Sequence, residues 1–178
     1  MSNDHRSSPH EGHGKEKRGT GPASRAAPAR TPVPRITTMS VEECNALLHR
    51  RHVGRMAFCL HDRVDIAPIH YVHSDGWLFA RTSHGAKMDV LAHSPWVAFE
   101  VDEIDGVFDW RSVVVHGTAY PMEREGSPRD AEHWARGIEL LREIVPETGT
   151  SDDPVPYRSL VFGIFVHSVT GRASTTRA

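Results

Sequence analysis

From Val53 onward the chain alternates short apolar runs with polar breaks, and the breaks come too close together for long helices. VGRMAFCL (53–60) and VDIAPIHYV (64–72) are joined by the polar His61-Asp62-Arg63, and Ser74-Asp75-Gly76 leads into WLFART (77–82). This spacing predicts a three-stranded meander. WVAFEVD (96–102) is a fourth strand followed by an acidic loop. RSVVVHGTAYPM (111–122) sets Val113 and Val115 against Ser112, Val114, His116 and Thr118, the half-polar alternation of a barrel wall. SLVFGIFVHSVTGR (159–172) completes the set. Six strands with few, short helices predict a mainly β chain closed into a six-stranded antiparallel barrel, because closure removes the edges an open sheet exposes.

Two helices interrupt the strands. SVEECNALLHRR opens with Ser40 as N-cap and Glu43 three residues later, a capping box, with Val41, Cys44, Leu47 and Leu48 on one face. SPRDAEHWARGIELLREIV carries Ser127 as N-cap, Pro128 at the first helical position, and Ala131, Trp134, Ile138, Leu141 and Val145 as its apolar stripe. A third, short helix is predicted after the polar turn at 83–87, ending before Pro95.

With 178 residues the chain supports one core. Residues 1–35 hold seven Lys/Arg against three Asp/Glu, and their Ser, Gly, Pro, Ala and Arg bury too little to fold. A disordered tail over 1–35 and a folded domain over 36–174 are therefore expected. The remainder holds fourteen basic against twenty acidic residues, which argues against a nucleic-acid footprint. The tail lacks the apolar core of a secretory signal and no run of about 18 apolar residues occurs, so a cytoplasmic protein without membrane contact is expected. Cys44 and Cys59 read as buried reduced thiols. Among thirteen histidines, the grouping of Cys44, His49 and His52 matches no zinc spacing, and no metal is expected.

The densest chemistry lies in LFARTSHGAKMDVL. Arg81, Thr82, Ser83 and Lys87 place two cations and two hydroxyls at the start of the predicted third helix, which suits an anion or a phosphate. The same spacing accommodates an ordinary N-cap at Thr82 or Ser83 with a solvated Lys87.

Taken in order, the opening helix, VGRMAF, APIHY, LFARTSHGAKMDVL, VAFEVD, WRSVVVHGTA and SVTGR, from about 39 to 172, resemble the pyridoxamine 5′-phosphate oxidase-like flavin proteins of the split-barrel fold. The resemblance implies a homodimer with two FMN molecules, each in a cleft between subunits, and an oxidoreductase acting on a small molecule. It places Lys87 on the FMN phosphate with Arg81, Thr82 and Ser83 beside it. It runs Pro68, Ile69, His70 and Tyr71 along the isoalloxazine, and brings Trp110, Arg111 and Ser112 from the other subunit. Here Asp109-Trp110-Arg111-Ser112 departs from the usual Gly-Trp-Ser. Arg172 would neutralise the phosphate or the reduced flavin. A flavin ring needs a flat apolar wall, which Ile69, Tyr71 and Trp110 could supply. His70 and His116 fit hydrogen-bonded strand histidines as well as substrate-facing acids or bases. The same barrel hosts deazaflavin and haem relatives and non-catalytic, sensory flavin binders, so these alternatives stay open. Only Arg111 and Arg172 remain for a second phosphate, which argues against oxidation of pyridoxamine phosphate itself. No Gly-x-Gly-x-x-Gly nicotinamide fingerprint is present.

Overall fold

A computed structural model describes residues 33–60, 63–85, 91 and 93–176. The elements run β1 (Pro34–Thr38), α1 (Val41–Arg50), β2 (Val53–Leu60), β3 (Arg63–Ser74), β4 (Trp77–Thr82), β5 (Trp96–Gly106), β6 (Asp109–Met122), α2 (Pro128–Leu141) and β7 (Leu160–Thr176). The sheet order is β1-β7-β4-β3-β2-β5-β6, and β6 also pairs with β7. Six antiparallel strands thus close a ring, and β1 adds to the outside of β7. Seven strands replace the expected six, because the Pro-initiated, fully exposed PRITT segment has no buried face from which a strand could be read.

β7 makes closure possible by its length. Its first half pairs with β4, Thr82 lying opposite Leu160, while most of it lies along β6 and its end pairs with β1. β5 extends to Gly106 rather than breaking into an acidic loop after Asp102. The acidic residues are compatible with strand because cations meet them: Asp102 accepts from Arg55 at 2.9 Å, and Glu103 from Arg50 and Arg51.

Leu47, Met56, Tyr71, Leu78, Phe99, Val101, Val113, Phe162 and Ile164 fill the barrel with almost no exposure. α1 closes one side of this core through Cys44, Leu47 and Leu48, and its capping box forms as expected, with Ser40 N–H donating to Glu43 at 2.7 Å. The glycine of SVTGR has a packing reason: a Cβ on Gly171 would lie 2.6 Å from Cys44 Sγ and 2.9 Å from Met39 Sδ. A second apolar cluster forms on the outer side of the barrel, where α2 lays Ile138, Leu140 and Leu141 over Val72, Phe79, Met122 and Val161. Of the cysteines, Cys44 is buried but Cys59 is exposed, correcting the expectation for the second, since β2 turns its odd-numbered positions outward.

Candidate functional site

Strand alternation divides the Pro68–Tyr71 segment. Ile69 and Tyr71 point inward and are buried, while Pro68 and His70 are exposed on the outer face. The Tyr71 hydroxyl donates to the Leu48 carbonyl at 2.9 Å and its ring meets Phe99 edge-on at 4.9 Å. Burial pushes its phenol far above the ordinary range. Ile69 and Tyr71 are therefore core residues rather than a wall for a flat ring, and the outer surface of this segment is Pro68 and His70.

At the end of β4 the expectation for Arg81 is also corrected. Its guanidinium is buried and forks onto both oxygens of Asp153, Nη2 to Oδ1 at 3.0 Å and Nη1 to Oδ2. Asp153 takes two further bonds at 2.9 Å, from the N–H groups of Gly149 and Val155. The Arg81 side chain, followed by these N–H groups, holds its carboxyl far below the usual range. Arg81 therefore clasps the 149–155 loop and is not available to an anion. Thr82 is buried, Ser83 is exposed, and Lys87 lies outside the described residues.

The structure brings a different cation to this place. A cavity of about 210 Å³ is lined by His70, Arg81, Leu141, Ile144, Val155 and Arg158. Arg158 is half-buried and forms no ion pair among the described residues. It escapes a motif search because it sits in the Pro-rich loop before β7. The register offers the only signal: Leu160 opposes Thr82, so residues just before Leu160 flank those just after Thr82.

The third expected group divides as well. On β6, Trp110 and Ser112 share one face and Arg111 takes the other. Ser112 Oγ donates to Glu100 at 2.8 Å and lies opposite Arg172, whose Nη1 donates to Thr38 at 2.8 Å. Arg111 lies opposite Glu103, 3.8 Å from its carboxylate. Within one chain, β2 and β5 separate this group from Pro68 and His70. The outer face between them is apolar on one side, with Val53, Val64 and Ile66 exposed to 50%, 69% and 62%.

Residues 40–173 match the family model of pyridoxamine 5′-phosphate oxidase. The chain belongs to that family. Among solved structures, a Mesorhizobium loti protein described as FAD-binding superposes with a TM-score of 0.65 at 25% identity, covering 79% of this chain and 99% of that one. The FAD-binding protein of Mycobacterium smegmatis shares the fold, with a TM-score of 0.51, 22% identity and coverage of 78% and 97%. A Rhizobium meliloti relative is 34% identical over 82 residues, 46% of this chain, which spans about half (54%) of that protein's length.

This family member also carries a buried histidine with an unsatisfied ring nitrogen where α1 meets the barrel. His73 on β3 is buried, its Nδ1 has no hydrogen-bond partner among the described residues, and its ring lies 4.5 Å from that of His49. Burial first, and then His49, lower its pKa from 6.5 to about 4. Between these values the unfolded chain binds the proton and the folded chain resists it, so stability is full above about pH 6.5 and falls as the pH drops toward 4. The expected loss is up to roughly 3 kcal/mol. Urea melts at pH 7 and pH 5 should show it, and His73→Leu should flatten the slope in this window; an unchanged slope would assign the acid lability elsewhere.

Proposed function

We propose that this chain is a cytoplasmic flavin-dependent oxidoreductase that holds FMN in a cleft completed by a second copy of itself and acts on a small organic molecule. The observation that carries the reading is the end of β4. The exposed Ser83 follows Thr82 there, and Arg158, without an ion pair among the described residues and two positions before the Leu160 that opposes Thr82, lines an apolar-walled cavity of about 210 Å³. A phosphate dianion suits such charge-assisted donors, with Lys87 as the second cation. Pro68 and His70 offer the outer strand surface along which the ring would lie. Trp110 and Ser112, remote from this place within the chain, would reach the flavin of the other subunit. The exposed Val53, Val64 and Ile66 are suited to contact between copies. The FAD-binding description of the Mesorhizobium loti protein supports a flavin, and a single cationic locus at β4 favours FMN. When bound, the flavin supplies hydride or electron transfer, while this chain binds it, orients it and restricts water. Among the described residues no helix is long and apolar enough to cross a membrane.

The absorption spectrum of the purified protein should show flavin rather than deazaflavin or haem bands. Lys87→Ala should raise the FMN dissociation constant by about one to two orders of magnitude, as expected for a charged hydrogen bond worth roughly 1.5–3 kcal/mol. Fluorescence titration reads this directly, and unchanged affinity would remove Lys87 from the site.

A further inference from the structure

Three arginines, Arg50, Arg51 and Arg111, gather at the rim of the barrel where α1 and the β5–β6 hairpin meet, on a chain whose remainder beyond residue 35 is acidic. Glu103 is their centre, with a side chain only 10% exposed. Arg50 forks onto it, Nε to Oε1 at 2.5 Å and Nη2 to Oε2 at 2.6 Å, and Arg51 Nε reaches Oε1 at 3.0 Å. Arg111 stands 3.8 Å away, beyond hydrogen-bond reach. Arg172, opposite Ser112, takes the other face of the sheet from Arg111, where it is held by Thr38. The Arg50 side chain, followed by its charge and that of Arg51, lowers the Glu103 pKa, so the carboxylate stays ionised.

This cluster exceeds what a clasp for α1 requires. One carboxylate satisfies Arg50 and part of Arg51, while every guanidinium N–H of Arg111 lacks a hydrogen-bond partner among the described residues. Arg50, Arg51 and Arg111 are 44%, 48% and 44% exposed, so their unused donors reach solvent. Arg50 and Arg111 border a cavity of about 470 Å³ whose other polar groups are Thr37, Thr38, Glu43 and Glu103. Glu43 has one oxygen turned back to the Ser40 N–H. Arg50, Arg51 and Arg111 against Glu43 and Glu103 leave one positive charge in surplus beside this space.

We propose that this cavity binds an oxyanion carried by a small-molecule ligand, a phosphate ester or a dicarboxylate. Guanidinium forks match either group in geometry, and Arg111 brings a fork that the protein leaves unused. Arg111 is the principal contact, because it alone has its whole fork unused, and Glu103 is the positioning residue that holds Arg50 and Arg51 at the rim. The site shares no lining residue with the β4 cavity, and the inference does not depend on the flavin reading.

The test is calorimetric titration of the full-length protein, with and without added FMN, with inorganic phosphate and, separately, with malonate at constant ionic strength. Saturable binding of either is expected, with the tighter anion identifying the ligand class. Arg111→Gln should weaken it about tenfold or more while leaving the melting temperature nearly unchanged, because Arg111 makes no hydrogen bond to lose. Lys87→Ala should leave it untouched. Absence of saturable binding by both anions, equal binding by Arg111→Gln, or loss of binding in Lys87→Ala in place of Arg111→Gln would each overturn the proposal.

Discussion

Asp153→Ala is expected to destabilise the protein by about 3–5 kcal/mol, because it strands the Arg81 guanidinium in a buried site without its counter-charge. It also removes the acceptor of the Gly149 and Val155 N–H groups. The loop before β7 should loosen, and with it the position of Arg158 at the end of β4. Urea unfolding measures the loss. The double variant Arg81→Met/Asp153→Ala should be less damaged than Asp153→Ala alone, since no unpaired charge remains. A loss under about 1 kcal/mol in the single variant would mean that water reaches the pair and screens it. Because both variants lose the acceptor that holds the loop carrying Arg158, FMN affinity should fall in both if Arg158 serves the phosphate.

Phe99→Ala should cost a comparable amount, about 3–5 kcal/mol, through a cavity at the centre of the barrel. Phe99 is fully buried, meets Tyr71 edge-on and lies over Gly54, where a Cβ would come within 2.3 Å of its ring. The barrel has been built around this ring, one strand giving up its side chain to admit it. Removal leaves Gly54 and Tyr71 facing a void that neighbouring strands cannot close, because both are tied into ladders on either side. Thermal melting should drop sharply. Of the protein that stays folded, the FMN affinity should be unchanged, since Phe99 points away from the outer surface; a selective loss of flavin without early melting would place the cofactor inside the barrel.

Which features the sequence determined, and which it left to the tertiary structure, follows from the range of the forces involved. Hydrophobic alternation and turn residues are local, so β2 and β4 were readable to the residue, and the Ser40 and Ser127 caps formed where the chain spells them. The collinear motifs were legible for the same reason, and they led to the family. β1 was not legible, because PRITT owes its conformation to the edge of β7 rather than to a buried face of its own. Sequence proximity suggested that Arg81, Thr82 and Ser83 act together and that Trp110, Arg111 and Ser112 do the same. The pleat separates neighbours onto opposite faces, and only the folded sheet shows which face is covered. Arg81 is lost to the site because Asp153, 72 residues away, claims it. Arg158 is gained because β7 returns beside β4, and the rim arginines converge because α1 and the β5–β6 hairpin meet on Glu103. Charges find partners through space, and the partner's position is set by closure of the barrel, which no local pattern records.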